Sequence, residues 1–359
     1  MRKPYRVAVA GPGGLGACAI REVQRLPEMQ LVGVLAYSPQ KNGVDAGELV
    51  GIGPIGVSAT TDFDAFLKID AECVLYTARD FGDWRSDREI IALLESGKNV
   101  ITPLPYHYLK ARGEEVEQRF RAAAEKGGAT LHGSGITPGF FNERLLTLLT
   151  GLTNDVESIK FQEFFNAEPL AGALETLQLF GFGADKAAAE QNVAVAMMAE
   201  NYLKQPILYV ADRLGIKLDR IERTAQLRNA PQDIVTPATT VAKGTVGLVS
   251  YAWTAYANGK PFYTTEVYWY LGDVMRPDTA KGDDFWTIAI EGRPSLQVTV
   301  ASQASFVKNI TIAPEEPSPA GYIMTIVTLV QAIPRVIDAP AGLLLPEMPE
   351  IHWKPDLRS

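Results

Sequence analysis

The chain has 359 residues and a mass of 39.1 kDa, with 34 basic and 42 acidic side chains, a formal charge of −8 and a sequence pI near 5.1. That length suits two domains, and 47% hydrophobic with 21% charged residues is the make-up of an ordinary globular protein. The acidic balance excludes nucleic acid as the main partner. The two cysteines, Cys18 and Cys73, have no partner at ligand spacing, which excludes a disulfide framework and a Cys/His metal site and points to buried thiols in a reducing cytoplasm.

Met1 to Ile20 loosely imitates a secretory signal, but five glycine and proline positions from Gly11 to Gly16 interrupt its apolar run. The longest uncharged apolar stretch, 320–334, is too short to span a bilayer, so no membrane association is expected. Residues 6–10 read as a first strand, followed by a glycine cluster and a helix carrying Ala19, Ile20, Val23 and Leu26 on one face. Strands are predicted at 30–36, 57–60, 73–77, 99–101 and 129–132, with helices between them; Asp62 is placed to cap one, and Gly97 and Gly127-Gly128 end two others. This alternation predicts an α/β Rossmann-type parallel sheet over 1–150, with its ligand side at the carboxyl ends of the strands.

Beyond Gly151 the pattern changes. A strand at 158–165 is followed by a long helical stretch from Asp185, expected to break at Pro206. Strands at 246–256 and 261–271 flank Asn258-Gly259, the strongest hairpin signal in the chain, and strands at 285–290 and 296–302 flank Gly292. Residues 151–317 are therefore predicted to form an α+β substrate and dimerisation domain with a mostly antiparallel open sheet. A last helix near 318–337, bent at Pro334, is expected to complete the first domain within 318–345, leaving 346–359 as a tail that contains His352.

Gly11-Pro12-Gly13-Gly14-Leu15-Gly16 is a G-x-G-x-x-G between a strand and a helix, where the glycines permit a tight turn and close approach of a pyrophosphate to a helix N-terminus. The second strand ends without the acid that grips a ribose in NAD enzymes; Ser38 and Lys41 instead suit the 2′-phosphate of NADP, with NAD as the alternative. Thr77, Ala78, Thr102, Pro103 and Gly135 lie in the other carboxyl-end loops and complete the predicted cofactor site.

These residues resemble a family. The glycine loop, residues 41–49, Glu95 to Ile101, His132 to Phe140, and 332–345 are similar to the dihydrodipicolinate-reductase-like dehydrogenases, and within them to 2,4-diaminopentanoate dehydrogenase and the native amine dehydrogenases. The resemblance implies NAD(P)H, a homodimer, and reductive amination of a small ketone with ammonia or the reverse oxidation of a primary amine. The histidine-rich signature of dihydrodipicolinate reductase is absent. In amine dehydrogenases the loop after the fifth strand carries a glutamate that polarises ammonia or the imine; here it reads Thr102-Pro103-Leu104-Pro105-Tyr106-His107-Tyr108, with Pro105 at the acidic position.

Tyr106 and His107 are the local candidates for proton transfer, alongside Tyr108. They leave two alternatives open: carbonyl/alcohol redox, or a non-catalytic NAD(P)-binding protein. Glu163 could restore a carboxylate, with Glu168 a lesser candidate, and Tyr106, Phe140, Phe164 and Glu163 form the predicted substrate pocket. His132 is read as structural.

Overall fold

The computed structural model describes residues 3–79, 85–168, 174–191, 193–308, 310 and 316–346; His352 and residues 80–84 of the loop after the fourth strand lie outside them. In chain order the elements are β1 (Tyr5–Ala10), α1 (Gly14–Arg25), β2 (Met29–Leu35), α2 (Ala46–Val50), β3 (Ala59–Thr60), α3 (Phe63–Leu67), β4 (Cys73–Tyr76), α4 (Arg85–Glu95), β5 (Asn99–Thr102), α5 (Glu114–Gly127) and β6 (Thr130–Gly133). Then follow α6 (Leu146–Leu149), β7 (Asn154–Asn166), α7 (Leu174–Phe180), α8 (Lys186–Glu190), α9 (Val193–Arg213), β8 (Arg220–Asn229), β9 (Ile234–Val235), β10 (Thr240–Val241), β11 (Val246–Ala257) and β12 (Lys260–Tyr270). The chain closes with α10 (Gly272–Met275), β13 (Asp284–Arg293), β14 (Leu296–Ser302), α11 (Ala320–Asp338) and β15 (Gly342–Leu344). The chain divides into two units, 1–140 with 322–359, and 141–321, so the first ends ten residues earlier than the expected 150.

The first unit is an all-parallel sheet in the order β15-β6-β5-β4-β1-β2-β3. Asp62 accepts from the Ala65 N–H at 3.0 Å and starts α3 as predicted. α11 contributes Ile326, Leu329, Val330, Ile333 and Val336, all at most 1% exposed, to the core that α1 also lines. The spacing is helical, and each such burial is worth about 1.5–3 kcal/mol. α11 is long and apolar enough to cross a membrane, yet half of it is buried inside the fold, which accounts for its hydropathy. β15, absent from the sequence reading, extends the sheet beside β6, and His132 Nδ1 lies 2.8 Å from the Leu344 carbonyl.

The second unit holds a six-stranded sheet in the order β14-β13-β7-β12-β11-β8, antiparallel except for the β7–β12 pair, and a small β9–β10 hairpin. Asn258 and Gly259 both take positive φ, 51° and 75°, and join β11 to β12 as read from the sequence. β8 went unread because only Leu227 in it is buried. The expected break at Pro206 is corrected: α9 runs through it. Proline removes one helical hydrogen bond at a cost of about 3 kcal/mol, and burial of Leu203, Ile207, Tyr209 and Val210 offsets it.

Register divides the sheet into two faces. Glu163 pairs with Trp286 on β13 and Val267 on β12, and Phe165 pairs with Asp284 and Trp269, so these six share one face with Thr265, Phe161, Trp253 and Tyr251. Phe164, Tyr268 and Phe285 lie on the other, with the Phe164 and Tyr268 rings stacked at 4.8 Å.

Candidate active site

The glycine loop turns where β1 leaves the sheet. A Cβ on Gly11 would stand 2.5 Å from the Ala78 Cα, and one on Gly16 would stand 2.1 Å from the Gly11 carbonyl oxygen, so both glycines are required by the protein's own backbone. A Cβ on Gly13 would meet nothing within 4 Å. The N-terminus of the 12-residue α1 has no side-chain cap, leaving its first amides to an anion. The residues present thus fit a dinucleotide pyrophosphate: Gly13, Gly14 and Leu15 would hold it, and the bound nicotinamide would supply or accept hydride. Thr77 and Ala78 support this loop from behind, the Thr77 hydroxyl lying 3.0 and 3.1 Å from the Ala10 and Gly11 carbonyls.

At the end of β2 the Lys41 ammonium donates to the Pro12 carbonyl at 2.7 Å, which fixes its charge against the phosphate loop. Ser38 bonds to Gln40 at the start of the same turn. An acid does reach this region from α4, which the sequence reading missed. Glu89 accepts from the Tyr37 hydroxyl at 2.5 Å and the Tyr76 hydroxyl at 2.7 Å, while the Arg85 guanidinium covers the Tyr37 ring at 4.3 Å. Glu89 is therefore committed to holding tyrosines, and burial with the nearby Glu89 charge pushes the Tyr37 hydroxyl well above its usual range.

The loop after β5 is almost wholly buried and holds no carboxylate. Thr102 donates to the Tyr76 carbonyl at 2.8 Å and accepts from the Leu104 N–H at 3.1 Å, leaving half-buried Pro103 and buried Pro105 to stiffen the turn. The Tyr106 hydroxyl donates to Asp87 Oδ1 at 2.6 Å, and Asp87 also receives Arg112 at 2.7 and 3.1 Å and Arg119 at 3.0 Å. Burial, then the Asp87 charge, raises the Tyr106 ionisation far above neutrality. Tyr106 is thus corrected from a proton donor and pocket residue to a buried anchor on α4. His107 is 1% exposed, and a Cβ on Gly139 would stand 3.3 Å from its Nε2, so its ring lies beneath the loop after β6 that carries Gly135. Phe140, half-buried, ends the first unit.

In the second unit, the indole N–H groups of Trp286 and Trp269 donate to the two oxygens of Glu163, at 3.0 and 3.3 Å. Asp284, 6% exposed, accepts from the Gly321 N–H at 2.9 Å. Burial raises its carboxyl from 3.8 to about 6, against the Gly321 hydrogen bond and helped by Glu163 and Asp283. Glu163 and Phe164 cannot share the predicted pocket, because successive residues of β7 point to opposite faces; Phe164 packs with Tyr268 and Phe285 instead. Glu168 stands apart near Gly272, its carboxyl raised by burial and by Asp273 and Asp283. Asp284 had a legible signal that went unused: it opens an apolar strand in alternation with Trp286 and Ile288.

Among the described residues no group of three or more His, Cys, Asp or Glu could hold a metal. Cys18 and Cys73 are buried, and burial raises the Cys73 thiol beyond reactivity near neutrality.

Residues 140–353 match the family model described as the 2,4-diaminopentanoate dehydrogenase C-terminal domain, and residues 5–81 match the N-terminus of dihydrodipicolinate reductase. An amine dehydrogenase from Streptomyces virginiae is 31% identical over 347 residues, covering 93% of each chain. A 4-hydroxy-tetrahydrodipicolinate reductase from Synechocystis is 39% identical over 62 residues only, 17% of this chain and 22% of its own. The solved amine dehydrogenase from Mycobacterium smegmatis superposes with a TM-score of 0.80 at 20% identity, covering 98% of this chain and 97% of its own, which shows the same fold. The matching C-terminal model, the full-length identity and the glycine loop together place this chain in the family of 2,4-diaminopentanoate and amine dehydrogenases, NAD(P)-dependent oxidoreductases that act on amines.

Proposed function

We propose that the protein interconverts a small ketone and a primary amine, with NADP as its preferred cofactor. In the reductive direction a ketone, ammonium, a proton and NADPH give the ammonium form of the amine, water and NADP⁺. The observation that carries this reading is the likeness to an amine dehydrogenase along 93% of the chain. The commitment of the Tyr106 hydroxyl to Asp87 weighs against carbonyl/alcohol redox through that residue.

Lys41 supports NADP, since an ammonium at the phosphate loop suits a 2′-phosphate, and the acid that reaches the end of β2 among the described residues, Glu89, is committed to two tyrosine hydroxyls. The resemblance further supports a cytoplasmic homodimer, checked in solution by light scattering. Turnover is tested by following NADPH consumption with short linear and cyclic ketones, with and without ammonium. Ammonium-dependent consumption yielding the amine is expected; ammonium-independent formation of an alcohol would overturn the assignment. For the cofactor, Lys41→Ala should weaken NADPH about tenfold or more and leave NADH nearly unchanged, whereas a wild-type preference for NADH would overturn it.

A further inference from the structure

The second strand ends without the acid that grips an adenosine ribose, and a cation reaches that end from another element. β1 and β2 are adjacent and parallel, so a dinucleotide whose pyrophosphate lies on the N-terminus of α1 carries its adenosine ribose over the end of β2. The chain makes a short turn there. The Lys41 N–H donates to the Ser38 carbonyl at 3.0 Å, and the Lys41 ammonium returns to the Pro12 carbonyl of the glycine loop at 2.7 Å. One end of the turn is thereby tied to the pyrophosphate site, and the other begins at Tyr37.

Arg85 opens α4, and its guanidinium carbon stands 4.3 Å from the centre of the Tyr37 ring. The Tyr37 hydroxyl donates to Glu89 at 2.5 Å, and Glu89 also accepts from the Tyr76 hydroxyl at 2.7 Å, which ties the ring to the end of β4. Arg85 Nη2 donates to the Arg79 carbonyl at 3.2 Å, and its Nε lies 3.8 Å from the other oxygen of Glu89, one helical turn along α4. Glu89 is only 9% exposed, whereas the Arg85 side chain keeps 28% of its surface in solvent. A cation at the surface is thus held by a ring face and a buried carboxylate, and it has little rotamer freedom left to lose when an anion arrives. The planar fork of a guanidinium also matches two oxygens of one phosphate, which the point charge of Lys41 does not.

We propose that Arg85 is the residue that discriminates NADP from NAD, receiving the 2′-phosphate of the adenosine ribose with Lys41 as a second cation. Tyr37 and Glu89 are its positioning residues. The proposal rests on the cofactor preference proposed above, and every group in it belongs to the first unit.

The test uses the cofactor-free full chain and two fragments that differ by one group, adenosine 2′,5′-bisphosphate and adenosine 5′-monophosphate, titrated by calorimetry. The wild type should bind the bisphosphate more tightly. Arg85→Ala should weaken the bisphosphate about tenfold or more and leave the monophosphate within about twofold. Arg85→Gln, which keeps a planar amide against Tyr37 but removes the charge, should do the same. NADPH should follow the bisphosphate and NADH the monophosphate in both variants. A purely structural arginine does not produce this selectivity, because a disordered turn weakens both fragments together.

Fragment discrimination unchanged in both variants, in a wild type that prefers NADPH, would overturn the role of Arg85 and leave the cofactor preference standing. Bisphosphate binding that depends on Arg85, in a wild type that prefers NADH, would support the subsite and defeat that preference. Equal losses for the two fragments would overturn the proposal, since the arginine would then serve the adenine or the fold. If neither variant folds, the wild type decides: a bisphosphate bound no more tightly than the monophosphate overturns the proposal.

Discussion

Replacing Asp284 by asparagine should stabilise the protein, and only above a defined pH. The carboxyl is 6% exposed and titrates near 6 in the folded chain against 3.8 ordinarily. At about 1.4 kcal/mol per pH unit, the buried charge then destabilises the fold by about 3 kcal/mol once ionised. Below pH 3.8 folded and unfolded chains both hold the proton and the penalty is absent; between 3.8 and about 6 only the folded chain holds it; above that range the full penalty stands. Stability from this group therefore falls as pH rises. The groups that set it are Glu163 on β7, Asp283 beside it with Arg276 bound at 2.6 Å, and the Gly321 N–H at the start of α11. Urea unfolding followed by tryptophan emission is the assay, because Trp253, Trp269 and Trp286, three of the five tryptophans, lie in the second unit. Asp284→Asn should match the wild type near pH 4 and exceed it at pH 7.5 by up to about 3 kcal/mol. A difference independent of pH, or a variant less stable at pH 7.5 than the wild type, would refute the reasoning.

Gly16→Ala places a methyl 2.1 Å from the Gly11 carbonyl and should lower the melting temperature sharply, whereas Gly13→Ala, with open space, should leave it nearly unchanged but weaken NADPH about tenfold or more by fluorescence titration. Tyr106→Phe removes a bond to the Asp87 carboxylate and should destabilise by about 1.5–3 kcal/mol in urea, with kcat within about twofold of wild type; a kcat collapse with stability intact would restore Tyr106 as the proton donor.

The cofactor fold was legible because its constraints are local. A β-branched run, a glycine turn and an amphipathic helix each declare themselves within about ten residues, and Gly11 to Gly16 could be placed without knowing what lay around them. The substrate side was less legible because it depends on which face a residue takes and which strands become neighbours. Glu163 and Phe164 are adjacent in sequence and opposite in space, and the parallel β7–β12 pair joins segments more than ninety residues apart with no turn to announce it. Tyr106 was misread for the same reason: its partner Asp87 belongs to α4, nineteen residues earlier, and nothing in the loop's own sequence reveals that contact. Glu89 shows the converse, an acid invisible to inspection of the second strand's end because α4 delivers it there.

Two carboxylates on one apolar face cannot hold their charges on equal terms. Glu163 has an N–H donor on each oxygen, from Trp269 and Trp286, and those donors favour its anion. Asp284 has a backbone donor in the Gly321 N–H, but burial and the field of Glu163 act against its charge, and its carboxyl is raised to about 6. The environment thereby separates two chemically similar side chains: each Glu163 oxygen has an indole donor, whereas burial holds the Asp284 carboxyl above its ordinary range.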